Sequence, residues 1–118
     1  MIGNRIHPSA TQADPTLIDG FRTAATAIIS DNLGRLPGAV ALRPFHRGGG
    51  IMAGTALTIR TRAGDNLAIH KALDLVRPGD IVVVDGGGDT SRALIGEIMV
   101  TIAMTRGAAG FVIDGAVR

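Results

Sequence analysis

The sequence predicts an α/β domain built around a βαβ unit, and three observations carry that expectation. Residues 81–84 are a continuous β-branched apolar run after a Pro78-Gly79-Asp80 turn, the form of a strand covered on both faces. Residues 94–106 read as helical, with Gly107 suited to the C-cap. Residues 111–113 are a second short apolar strand. A crossover of this kind is right-handed and sets its strands parallel, so both carboxyl ends open on one rim of the sheet, where a site is expected.

Along the chain, Asp14 and Pro15 read as N-cap and first helical residue, and Leu17, Ile18, Phe21, Ala25, Ile28 and Ile29 recur at helical spacing. One helix is expected over residues 15–30. Ser30, Asp31 and Asn32 offer a new cap before Leu33, so a short second helical turn is expected there, halted by Gly34, Pro37 and Gly38. Gly48, Gly49 and Gly50 form a loop before residues 53–62, where Leu57 and Ile59 alternate with Thr58, Arg60 and Arg62 as in a half-buried strand. Asp65 can cap a helix carrying Ile69, Ala72, Leu73 and Val76 on one face, ended by Pro78 and Gly79. His70 lies in that helix and is expected as a surface or satisfied residue, not a ligand. Residues 86–92 form a flexible loop.

Composition narrows the function classes. The 118 residues are 46% apolar but only 3% aromatic, with no Trp, Tyr or Cys, so the core is aliphatic and disulfides and thiolate metal sites are excluded. Phe21, Phe45 and Phe111 lie in apolar contexts and are expected in the core. They are too scattered for a platform on which nucleic-acid bases could stack. Eleven of the twelve cations are Arg, spread along the chain among Asp residues for a net charge of +2, with no basic run. No nucleic-acid partner is expected. No stretch reaches the roughly 18 apolar residues of a membrane helix, and residues 1–15 hold no apolar targeting segment. A soluble, cytoplasmic single domain over residues 1–118 follows.

The rim of the βαβ unit gathers candidate chemistry. The loop after Val84 and Asp85 leads to Gly96, Glu97, Ile98 and Met99 at the start of the helix, where unpaired amides and the helix dipole favour an anion. The strand ending at Ile113 and Asp114 leads through Gly115 to Arg118. A carboxylate-sized anion site, an acid and a guanidinium are thereby drawn together.

Four stretches carry a family resemblance: Asp65-Asn66-Leu67-Ala68-Ile69-His70, Arg77-Pro78-Gly79-Asp80-Ile81-Val82-Val83-Val84-Asp85, Gly96-Glu97-Ile98-Met99 and Val112-Ile113-Asp114-Gly115-Ala116-Val117-Arg118. In this order the chain, from about residue 24 to residue 118, resembles the RraA-like family. That family comprises 4-hydroxy-4-methyl-2-oxoglutarate aldolases and proteins like the regulator of ribonuclease activity A. Its aldolases carry an acid, twenty intervening residues, then Arg-Asp, and twenty residues separate Glu97 from Arg118 here.

The resemblance implies a layered, swivelling-type β/β/α fold and a class II aldolase or oxaloacetate decarboxylase. Such a lyase acts on pyruvate-like 2-oxo acids with a divalent metal, Mg²⁺ or Mn²⁺. Arg118 and Glu97 are then the expected catalytic residues, Arg118 stabilising the enolate and Glu97 positioning water around the metal. Gly96, Ile98, Met99 and Arg118 are the expected substrate-binding residues, with the amides around Ile98 and Met99 on the substrate carboxylate. The family's direct metal ligand is an Asp that would follow Arg118, so no metal ligand is assigned. Should the metal be held within these residues, Asp85, Asp89 and Asp114 are the first candidates. The chain corresponds to the N-terminal part of the family domain, so a C-terminal half is expected to complete the fold. Without it, Ile81, Val83, Phe111 and Ile113 are expected to present uncovered apolar surface. The family also implies a homo-oligomer, a trimer or hexamer.

Two other functions fit parts of the sequence. Some proteins resembling this chain are non-enzymatic regulators that bind ribonuclease E. A methyltransferase is suggested more weakly by Val83-Val84-Asp85-Gly86-Gly87-Gly88-Asp89, a glycine loop after a strand. Its glycines are contiguous and Gly96 follows only after a further seven residues, unlike the spaced glycines of a dinucleotide loop that lead straight into a helix.

Overall fold

A computed structural model describes residues 4–118. The chain forms two compact units, Ala13–Ala53 and a second made of Met1–Gln12 with Gly54–Arg118.

The first unit begins with α1 (Pro15–Thr23), where the Asp14 carboxylate accepts the Thr16 amide at 2.8 Å and Pro15 holds the first position. The single helix expected over residues 15–30 is two helices. α2 (Thr26–Asn32) follows a break at Ala24 and Ala25, both in extended backbone. Neither helix buries a residue, so no packing favours continuity. The Thr23 hydroxyl, donating to the Gly20 carbonyl at 3.1 Å, competes with the helix at that point. Ser30, Asp31 and Asn32, expected to start a separate turn, instead finish α2. The Arg35 amide returns to the Ser30 carbonyl at 2.8 Å, with Gly34 and Arg35 left-handed. Phe21 and Phe45 are not core residues: they are 50% and 71% exposed. The Arg43 guanidinium covers the Phe45 ring, 5.0 Å from its centroid.

The second unit contains β1 (Thr55–Arg60), α3 (Leu67–Leu73), β2 (Asp80–Asp85), β3 (Ala93–Ile95), α4 (Glu97–Thr105), β4 (Gly110–Asp114) and β5 (Ala116–Val117). A three-stranded parallel sheet runs in the order β1-β2-β4, so the β-branched run is the central strand, as its composition predicts. β2, α4 and β4 form the expected parallel βαβ unit. The stretch expected to be helical over residues 94–106 divides, however: Ala93–Ile95 is a strand, and the helix opens after Gly96. Leu94 and Ile95 fit either periodicity. Pairing with β5, more than twenty residues away in sequence, decides for strand. Neither β3 nor β5 was legible as a strand.

The core joins the sheet to α3 and α4 through Ile69, Val82, Val84, Leu94, Met99 and Ala103, each at most 5% exposed. Ile81, expected on uncovered surface, is buried, while Val83, Phe111 and Ile113 are half-buried. His70 is exposed, as expected.

At the amino end of β2, Asp80 is fully buried yet fully bonded. It accepts from the Arg77 amide at 2.9 Å, Arg77 Nε at 3.1 Å, Arg77 Nη2 at 3.3 Å and Gln12 Nε2 at 3.0 Å. Burial opposes its ionisation, but the Arg77 guanidinium, the Gln12 side chain and the Arg77 amide outweigh it and hold the carboxyl below the usual range. Arg77 Nη1 also donates to the Ala10 carbonyl at 2.8 Å, so this one pair fixes residues 10–12 to the sheet.

Candidate active site

The carboxyl ends of the three parallel strands lie side by side, with Arg60, Asp85 and Asp114 in register. Arg60 Nε donates to Asp85 at 2.9 Å, and the Gly87 amide donates to the same carboxylate at 3.2 Å. These bonds, that from Arg60 first, hold the Asp85 carboxyl below its ordinary range. Gly86 and Gly115 keep the rim tight: a Cβ at Gly86 would stand 2.6 Å from the Asp114 carbonyl, and one at Gly115 2.7 Å from Leu94 Cδ1. The glycines 86–88 thus serve packing and turning, and the loop they begin enters β3 rather than a helix.

Beyond the loop, Gly96 is the extended N-cap of α4, and no side chain caps this helix. The first backbone bond of α4 runs from the Val100 amide to the Gly96 carbonyl at 3.1 Å, so the amides of Glu97, Ile98 and Met99 precede the helical ladder. Arg118 arrives at the same place by a different route. β5 pairs in parallel with β3, and the Arg118 amide extends that ladder to the Ile95 carbonyl at 3.1 Å. The Arg118 side chain then lies over Gly96: its Cγ and Nε are each 3.4 Å from where a Cβ on Gly96 would stand. The expectation that Arg118 reaches the start of this helix agrees with the geometry.

The five residues singled out in sequence play unequal structural parts. Gly96 and Arg118 are in contact. Glu97 is the exposed first residue of α4 and forms no ion pair with Arg118. Ile98 is 77% exposed and offers the site its amide rather than its side chain. The Met99 side chain points into the core, 5% exposed, and its sulfur receives the Asn66 side-chain amide at 3.9 Å. Among the described residues no carboxylate forms an ion pair with Arg118, which leaves its guanidinium available to an anion.

A divalent cation needs several oxygen donors at one point. Among the described residues no three His, Asp or Glu side chains converge so as to hold a metal ion. The alternative ligand set of Asp85, Asp89 and Asp114 fails for visible reasons: Asp85 is engaged by Arg60, and Asp89 is turned to the amide and hydroxyl of Ser91 at 3.3 and 2.8 Å. The described residues therefore do not make a divalent-cation site by themselves. Asn66, brought beside the first turn of α4 by the packing of α3, went unnoticed in the sequence. Its position within the Asp65-to-His70 motif was the one signal it gave.

Comparison with known proteins identifies the family and the fold. The profile of the RraA-like family, described as Aldolase/RraA, matches residues 26–118. A protein of Halalkalibacterium halodurans, provisionally named a 4-hydroxy-4-methyl-2-oxoglutarate aldolase, is 40% identical over 109 residues, covering 92% of this chain and 51% of its own length. The chain thus spans about half the length of that relative. The solved structure of the RNA-processing inhibitor RraA of Thermus thermophilus superposes with a TM-score of 0.64 at 35% identity, over 80% of this chain and 57% of that one. RraAS2 of Streptomyces coelicolor, described as an unusual member of the RNase ES inhibitor RraA family, gives 0.76 at 25% identity, over 93% and 58%. Among the described residues no helix is long and apolar enough to cross a membrane.

Proposed function

The chain belongs to the RraA-like family, and from that premise we propose that it is part of a lyase that cleaves a C–C bond in pyruvate-like 2-oxo acids such as 4-hydroxy-4-methyl-2-oxoglutarate. The observation that carries the reading is the Arg118 guanidinium, without an ion-pair partner, set against Gly96 at the uncapped start of α4.

The substrate carboxylate accepts hydrogen bonds from the amides of Ile98 and Met99, where the dipole of α4 favours negative charge. As the C3–C4 bond breaks, the C4 hydroxyl passes its proton to the water that Glu97 orders and becomes the carbonyl of one pyruvate, and water later returns a proton to C3 of the enolate to complete the second. The electron pair moves onto the C2 carbonyl oxygen, giving the enolate of the other. Arg118 stabilises that oxygen by a charge-assisted hydrogen bond that strengthens as charge develops. The proposal includes a divalent cation, Mg²⁺ or Mn²⁺, which when bound supplies a sink for the same charge. The described residues do not complete its ligand set, and Glu97 is the acid beside Gly96 that orders water. A trimeric or hexameric assembly belongs to the same proposal.

The test is release of pyruvate from 4-hydroxy-4-methyl-2-oxoglutarate and from oxaloacetate by the whole lyase of which this chain is proposed to be part, followed by coupled NADH oxidation with added Mg²⁺ or Mn²⁺. Turnover above the background of metal alone is expected. A rate equal to that background refutes the reading. The likeness to structures described as inhibitors of RNA processing supports a second reading, a non-enzymatic regulator. Inhibition of ribonuclease E cleavage by the protein, unaffected by Arg118→Ala, would favour it.

A further inference from the structure

A cavity of about 350 Å³ opens at the carboxyl end of β1, lined among others by Arg60, Thr61, Arg62, Asp65 and Leu67. Small-molecule sites begin at roughly 300 Å³. Its wall is a loop already fixed by bonds from the Thr61 amide to the Asp85 carbonyl at 3.0 Å and from the Asp65 amide to the Arg62 carbonyl at 3.0 Å. A third runs from the Thr61 hydroxyl to the Asp65 carbonyl at 2.5 Å. A loop held in three places loses little freedom when a ligand arrives.

The charges around this cavity are unevenly committed. Arg60 is spent on Asp85, and Asp65 accepts the Leu67 amide at 2.9 Å. The Arg62 guanidinium has no ion-pair partner among the described residues. Neither does that of Arg92, which is not itself a lining residue but lies against Gly64, between the lining residues Arg62 and Asp65 in sequence, its Nε 2.8 Å from where a Cβ would stand. The left-handed Gly64 (φ +69°) lets Arg92 settle there. Asn66, between the lining residues Asp65 and Leu67 in sequence, donates to the sulfur of Met99 in the first turn of α4, which ties the segment along the cavity to that helix.

We propose that this cavity takes the second carboxylate of a 2-oxo dicarboxylate whose first carboxylate sits at the start of α4, with Arg62 and Arg92 as its cationic partners. The inference rests on the lyase reading and deepens it, assigning selection for dicarboxylates to residues that reading does not use. An uncommitted guanidinium in a cleft offers a carboxylate two parallel charge-assisted bonds, whereas a substrate ending in a methyl group leaves them solvated and gains nothing.

The experiment compares 4-hydroxy-4-methyl-2-oxoglutarate with the monocarboxylate 4-hydroxy-2-oxopentanoate in the wild type and in Arg62→Ala, Arg62→Lys and the double Arg62→Ala/Arg92→Ala. The ratio of kcat/KM for the dicarboxylate to that for the monocarboxylate should fall about 10-fold in the single alanine variant, through KM, and further in the double. Lysine should restore part of the loss, because it keeps the charge without the fork. Calorimetry with 2-oxoglutarate and with pyruvate is the second readout, and circular dichroism verifies the fold of each variant. A ratio within about twofold of wild type overturns the inference and leaves the lyase reading standing. If the wild type cleaves neither compound, the lyase reading falls and calorimetry decides. Binding of 2-oxoglutarate that weakens about 10-fold in the double variant supports the dicarboxylate site, and absence of that binding overturns it.

Discussion

Replacing Asp80 by Ala should be among the most damaging single changes in this chain, and the structure gives its size. Asp80 is fully buried and accepts four hydrogen bonds, three from Arg77 and one from Gln12. Removing one member of a buried pair costs about 3–5 kcal/mol, because the other charge is left without compensation. The Arg77 side chain keeps 32% of its exposure, so water recovers part of that loss and the lower end, about 3 kcal/mol, is the expected value. Asp80→Asn keeps the shape and part of the bonding and should cost about 1–2 kcal/mol. Urea titration measures both, and limited proteolysis should cut first around residues 10–12, since Gln12 and the Ala10 carbonyl are bound through this pair. The sign with pH follows from the lowered folded-state pKa. The stabilisation is fully present above the unfolded carboxyl value, about 3.9. It is lost as pH falls through the lower folded value, and the Asn variant should lack that loss. An Asp80→Ala variant within about 0.5 kcal/mol of wild type would refute the argument that this bonded, buried charge holds the amino end of the sheet.

Arg118→Ala should lower lyase turnover by roughly 10²-fold while leaving the circular dichroism unchanged, as loss of a transition-state charge partner at an exposed position does; full activity would exclude its role. Gly86→Ala should destabilise by about 1–3 kcal/mol or more, because its Cβ would press on the Asp114 carbonyl, which is backbone and cannot rotate away; an unshifted melting temperature would contradict that contact. Arg60→Ala should let the Asp85 carboxyl rise toward its ordinary pKa, visible in an NMR titration, since the bond from Arg60 is the largest cause of its depression. An unchanged titration would mean that the pair does not persist in solution.

The parallel βαβ unit was legible because its signals are local. A β-branched run can be little else than a covered strand, Gly107 stops α4, and strands joined by a helical crossover must run parallel. The start of α4 and the approach of Arg118 followed from that topology and from the family motifs. Other features depended on partners that local pattern does not name. Leu94 and Ile95 are strand because Ala116 and Val117 lie beside them, and Phe21 and Phe45 stay exposed because their unit buries no side chain in α1 or α2 around which a core could form. Asn66, Arg62 and Arg92 entered the picture only once α3 and the rim loops were in place, since what matters about them is which charges they lack and which neighbours they meet. Periodicity and turn chemistry thus determined β1, β2, α3, β4 and the parallel direction of the βαβ unit, through rules that act within a few residues. The tertiary structure decided which side chains share the rim, because the burial and pairing that place them act between segments far apart in sequence.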